Sequence, residues 1–251
     1  VRRGSPAAMV CAGVILLAGC AGAAGERLGA DGRGQSPTHA SSDVRGPDRD
    51  DGDGRDALPP VVDHIRTRDR VVFLTYDDGA ERDPGFVGLV RERRLPVSMF
   101  LTDSVVGPGY GHFARLRAVG ASIQNHTLDH PALRGLPYAG QRAEICGQQH
   151  KLRSRFGIRP HLFRPPYGAY DTTTLRAAAD CGIRAVVLWR ASLGPDGALT
   201  YTRGEPGLRP GDVISVPSGE TASLTLTERT ERLLREIEGR GLRVGRLENY
   251  L

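Results

Sequence analysis

Between residues 71 and 247 short apolar runs alternate with helical stretches between most of them, and few folds accept that order. Strands are expected at 71–76, 97–101, 121–125, 161–164, 184–189, 213–216 and 243–247, with helices at 84–94, 112–119, 138–156, 172–179 and 226–238. In the last helix Leu226, Leu233, Leu234 and Ile237 fall on one face, as a packed amphipathic helix requires. Alternation of this kind builds a mainly parallel α/β sheet or barrel. In such folds the loops after the strands converge on one rim, and chemistry collects there.

The polar residues obey that rule. Asp77 and Asp78 close the first strand in "VVFLTYDDG", His126 and His130 follow the third in "NHTLDH", and Arg164 and Tyr167 follow the fourth. Histidines four apart can aim both imidazoles at one ion from a helical turn or a compact loop, although such pairs are commoner as surface or core residues. A carboxylate from Asp78 completes a two-histidine, one-carboxylate set with a position left for water, the usual form of a catalytic zinc site.

At "TYDDG", "HTLDH" and "RPPYG" the sequence resembles the polysaccharide deacetylase family, also called the NodB-homology domain or carbohydrate esterase family 4. The three motifs stand in the family's order, and the resemblance extends over residues 70 to 251. It implies a distorted (β/α) barrel of about seven strands, a divalent metal, and hydrolysis of N-acetyl groups on acetylated polysaccharides of the GlcNAc type, such as peptidoglycan or chitin. Carried over by motif, Asp78, His126 and His130 would bind the metal and Asp77 would be the base that deprotonates the attacking water. Arg164 would pair with Asp77, a task for a permanently charged guanidinium. The backbone N–H of Tyr167 would hold the oxyanion, and Thr127 would fix the histidine loop. Read alone, Arg164 and Tyr167 would be a structural ion pair and a proline-bounded turn. The donor set suits zinc first, with Co2+, Ni2+ or Mn2+ also accommodated.

The pattern breaks in its second half. Where the family's fifth motif supplies a histidine that protonates the leaving amine, this chain has Pro217 in "GDVISVPSG", and no histidine follows. Where the fourth motif has an aspartate after its tryptophan, "LWRASLGPDG" keeps Trp189 but aligns Ser192, with Asp196 a few residues late. The acid half is therefore absent as a pair. Three readings follow: an N-deacetylase slowed by that loss, in which Asp77 serves as both base and acid or another residue or the substrate supplies the acid; an O-acetyl esterase of the xylan type, whose leaving group needs less protonation; or a catalytically weak, metal-containing glycan-binding lipoprotein.

Outside the domain, residues 1–20 carry Arg2 and Arg3 before an apolar stretch too short to span a bilayer comfortably, ending in Leu17-Ala18-Gly19-Cys20. This resembles a bacterial lipobox. It implies a signal peptide, export, and a membrane anchor through lipid on Cys20 at the extracytoplasmic face of the cell envelope, or secretion if the cut lies elsewhere. Residues 21–58 are rich in Gly, Asp, Arg, Ser and Pro and read as a disordered tether to a domain at 59–251. The aspartates at 48, 50, 51 and 53 lack the closing glutamate of a calcium loop. Cys146 and Cys181 could form a disulfide or remain buried thiols.

The net charge of +5 is almost all arginine, Lys151 being the sole lysine, and no basic cluster is interleaved with aromatics. A nucleic-acid partner is therefore not expected. A tethered monomer is expected. His112 and His150 are expected on helix surfaces, and His161 at a strand start.

Overall fold

The computed structural model describes residues 57–219 and 223–251. The expected export segment, nearly all of the tether and its acidic cluster lie outside them. The elements run β1 (Val61–Val62), β2 (Val71–Asp78), α1 (Pro84–Arg93), β3 (Ser98–Leu101), α2 (Asp103–Val106), α3 (Tyr110–Ala118), β4 (Ser122–Asn125), α4 (Tyr138–Phe156) and β5 (Leu162–Phe163). They continue through α5 (Thr172–Asp180), β6 (Ala185–Val187), β7 (Ala191–Leu193), β8 (Leu199–Tyr201), β9 (Val213–Val216), α6 (Leu226–Gly239) and β10 (Arg243–Val244).

These strands form one curled sheet in the order β1-β6-β5-β4-β3-β2-β9-β7-β8, with β10 added beside β2. Every pairing is parallel except the β7–β8 hairpin. The expected distorted barrel is thus the fold found. Three short strands, β1, β7 and β8, add to the seven expected. No helix of the described residues is long and apolar enough to cross a membrane.

Period-2 alternation sends β2 into two cores at once. Val72, Leu74 and Tyr76 pack outward under the helices with Phe86, Val90, Leu233 and Ile237. Val71 and Phe73 pack inward with Phe100, Leu162, Val187 and Val213. By the same alternation Thr75 and Asp77 belong to the inner face, so the first aspartate of the pair is directed into the curl by the strand itself. The expected face of α6 is buried, and its start is capped reciprocally by Thr225 and Glu228.

The packing of α4 against α5 brings Cys146 and Cys181 together as a disulfide, with Cα atoms 5.0 Å apart. The sequence left this pairing open because only tertiary contact decides it. The bridge spans 35 positions. Replacing both cysteines by serine is expected to cost about 3–4 kcal/mol on the chain-entropy account, read from denaturant unfolding; an unchanged midpoint would contradict that account. His112 departs from expectation. It is buried in α3, 5 % exposed and edge-on to Phe113, with its Nε2 unpartnered among the described residues. Burial and the neighbouring Arg115 pull its pKa down.

Candidate metal and catalytic site

The carboxyl ends of β2, β4 and β5 gather all six expected site residues. Asp77 sits opposite Phe100 across β2–β3. Fully buried Arg164 lies over that ring, 4.4 Å from its centroid, and donates Nη1 to Asp77 Oδ1 at 2.6 Å. Its other nitrogens donate to the carbonyls of Val187 and Leu188 at 3.0 and 3.2 Å, so the fork is fixed on three sides. Burial pulls the guanidinium's pKa down, and Asp77 pulls against it. The second oxygen of Asp77 accepts from Ser215 Oγ at 2.6 Å. Both carboxylate oxygens are thereby held, the second by a residue the motifs did not name.

Directly after Asp77 the alternation fails. Asp78 takes φ +65° and Gly79 +88°. A Cβ on Gly79 would lie 2.9 Å from Phe113 and Val106, so only glycine fits both the turn and the packing. Left-handed backbone at Asp78 turns its side chain away from the inner face and towards the histidine loop. Five non-glycine residues among those described have positive φ: Asp78, Arg94, Thr127, His130 and Tyr167. All but Arg94, which ends α1, lie at this rim. Concentrated backbone strain of this kind marks sites where geometry is held for a purpose.

The histidine loop is built from the same economy of hydrogen bonds. Asn125 Oδ1 accepts from Thr127 N–H, and Thr127 Oγ1 accepts from His130 N–H, at 3.0 and 3.1 Å. Thr127 therefore has the loop-fixing part expected of it. Glu144 of α4 accepts from the N–H groups of Leu128 and Asp129 at 3.1 and 3.0 Å, closing the loop from outside. Sequence spacing concealed Glu144, because it lies on the following helix. Its replacement by alanine is expected to weaken divalent-cation affinity about 10–100-fold, as loss of a supporting shell does, measured by competition with a chelating dye. An unchanged affinity would show that the loop holds itself.

His126 Nδ1 lies 2.7 Å from the carbonyl of Arg164. A carbonyl only accepts, so Nδ1 carries a proton and Nε2 is the ring nitrogen left to face Asp78. That nitrogen is 3.3 Å from Asp78 Oδ1, and His130 Nε2 is 3.1 Å from the same oxygen. These approaches are not hydrogen bonds: Asp78 Oδ1 is buried without a donor. Burial by itself raises the pKa of Asp78; a proton or positive charge carried between it and the two imidazoles more than offsets that and holds the group below the usual carboxylate range. Ligand atoms from Asp78, His126 and His130 lie within 4.8 Å of one another. Two imidazole nitrogens converging on a buried, unsatisfied carboxylate oxygen require a positive charge among the three, either a proton or a cation. One oxygen and two imidazole nitrogens fit a divalent metal.

Tyr167, at φ +60°, stands beside this trio with its ring 4.8 Å from that of His130 and 70 % exposed. Its backbone N–H donates to no acceptor among the described residues.

The chain matches the family model described as polysaccharide deacetylase over residues 64–186. Relatives agree. An uncharacterized protein of Streptomyces coelicolor is 64 % identical over 249 residues, covering 98 % of this chain and 96 % of its own. Chitin deacetylase 1 of Cryptococcus neoformans var. grubii is 27 % identical over 68 % of this chain and 37 % of its own length. The chain belongs to the polysaccharide deacetylase family. It is a hydrolase of the deacetylase class, and members of this family are metalloenzymes. The fold of this polysaccharide deacetylase also matches that of a carbohydrate esterase family 4 pseudoenzyme from Bacillus anthracis, with TM-score 0.65 at 16 % identity over 78 % of this chain and 70 % of that one. A mutant of that pseudoenzyme with restored enzymatic activity superposes with the same TM-score, at 18 % identity over 78 % and 72 %.

The matched segment of the deacetylase ends at residue 186, before the two positions where its sequence departs from the motifs. Ser192 pairs in register with Ser215 across β7–β9, and Pro217 is exposed two residues further along the same edge. Ser192 and Ser215 thus fall on one face, the face from which Ser215 reaches Asp77, and Pro217 follows just past the end of β9. Asp196, by contrast, lies in the β7–β8 turn, its Oδ1 accepting from Ala198 N–H at 3.0 Å. It takes no part in the site.

Proposed function

We propose that this deacetylase removes N-acetyl groups from a GlcNAc-type polymer of the cell envelope, slowly, using Asp77 as base and a divalent cation held by Asp78, His126 and His130. The buried, donorless Asp78 Oδ1 facing two imidazoles, with Asp77 next to it in sequence, carries this reading. A cation bound there, zinc first among the candidates, would supply Lewis acidity and lower the pKa of water towards about 7.

The chain's own groups account for the rest. Arg164 and Ser215 clamp Asp77 so that its remaining lone pairs face the rim. Asp77 takes a proton from the attacking water while the water oxygen bonds to the acetyl carbon. The free N–H of Tyr167 stabilises the oxygen that becomes negative. The C–N bond then breaks, and with no histidine at position 217, Asp77 returns its proton to the leaving nitrogen. The products are acetate and a free amine.

Two observations support neighbouring readings. The chitin deacetylase favours an N-acetyl substrate, and the missing histidine at position 217 favours a glycan-binding protein of low turnover. Acetate release from acetylated chitooligosaccharides and peptidoglycan, run beside O-acetyl xylan, decides among them. Release from the N-acetyl substrates is expected; release from xylan alone would make the chain an O-acetyl esterase, and release from none would leave the binding protein. Lipidation of Cys20 and attachment to the extracytoplasmic face complete the proposal, and mass spectrometry of the mature N-terminus tests them: an unmodified start elsewhere removes the anchor.

A further inference from the structure

The rim opposite the catalytic one carries a second concave feature. A cleft of about 500 Å³ opens where β4 and β5 begin and where the chain enters β6, lined among others by Arg117, Arg159, His161, Arg184, Arg246 and Glu248. The catalytic residues stand at the other ends of the same strands. Four arginines line the cleft against one acidic side chain, Glu248, so positive charge is in excess there.

That carboxylate is engaged elsewhere. Glu248 Oε1 accepts from Ser98 Oγ and Gln124 Nε2, both at 2.9 Å, and from Ser122 Oγ. None of the four arginines forms an ion pair with a carboxylate among the described residues. The chain is rich in arginine everywhere, so a cluster alone would mean little. What separates this one is fixation. Arg117 Nη1 donates to the carbonyl of Phe156 at 2.9 Å, and Arg246 Nη2 to that of Gly120 at 2.8 Å. Each is thus anchored by one nitrogen to the backbone and keeps its other donors free, while Arg159 and Arg184 have exposed side chains with no hydrogen bond to the described residues. Two pre-oriented forks and two adaptable ones around a concavity suit a compact anion with several acceptor oxygens.

We infer that this cleft binds a phosphate group, free or carried on a polymer, at a site separate from catalysis. A doubly charged tetrahedral anion answers a cluster of arginines better than a single carboxylate, and the arginine fork matches its geometry. On a substrate-bearing surface such a site would hold the domain beside phosphate-rich polymer without occupying the rim where acetyl groups are cut.

The test titrates the full chain calorimetrically, at about 0.15 M salt where distant charges are screened, with inorganic phosphate, short-chain polyphosphate and acetate. The same titrations are run on Arg159→Glu with Arg184→Glu, whose side chains support no hydrogen bond of the fold. Polyphosphate is expected to bind wild type and to weaken at least tenfold in the double variant, while melting temperature and divalent-cation binding stay unchanged. Inorganic phosphate binding as tightly per site would assign a free anion as ligand; polyphosphate alone would assign a polymer. No binding of either phosphate form, equal binding by the variant, or acetate binding as tightly as phosphate would overturn the inference.

Discussion

Replacing Asp77 by asparagine lowers acetate release about 10²–10⁴-fold, the usual contribution of a general base, and leaves the fold and the cation in place. The amide keeps the shape of the carboxylate, so Arg164 retains an acceptor at 2.6 Å, and Ser215 can turn its hydroxyl to accept from the amide. The three cation ligands are untouched. What is lost is the ability to take a proton from water and, without an acid at position 217, to give it back. Wild type and variant releasing acetate at the same slow rate would remove the enzymatic reading and leave a glycan-binding protein.

The converse substitution raises the rate. Asp at position 192 together with His at position 217 is expected to increase acetate release about 10²–10⁴-fold, the worth of the missing general acid. The β7–β9 register makes this specific: Ser192 lies opposite Ser215 on the face that meets Asp77, and position 217 follows two residues on, just past the end of β9. Pro217→His alone should recover less, since the imidazole would lack its orienting carboxylate. No gain from the pair, with cation binding intact, would mean that Asp77 or the substrate already supplies the proton efficiently.

Much of this site was legible before any coordinates because β2 ends in charge. Two aspartates at the tip of an apolar strand read either as a solvated turn or as a site, and the histidine and arginine motifs at equivalent tips favour the site. Ser215 was not legible. It is 138 positions from Asp77 and looks like an ordinary small residue inside an apolar strand; only the β2–β9 register reveals its partner. Glu144 was hidden for a similar reason, as one charged position among many on a polar helix. The β7–β8 hairpin had a signal that the strand reading passed over: Pro195-Asp196-Gly197 is turn chemistry, and Gly197 takes φ +80° there. Its strands are too short for periodicity to register. His112 misled because a helix position between glycine and phenylalanine carries no mark of which side faces the core.

The account rests on a cation, rather than a proton, among Asp78, His126 and His130. Elemental analysis after equilibrium dialysis of wild type, Asp78→Ala and His126→Ala against zinc tests it most directly. A single divalent ion per wild-type chain and its loss from both variants is the predicted result; a metal-free wild type, or variants that bind as the wild type does, would contradict it.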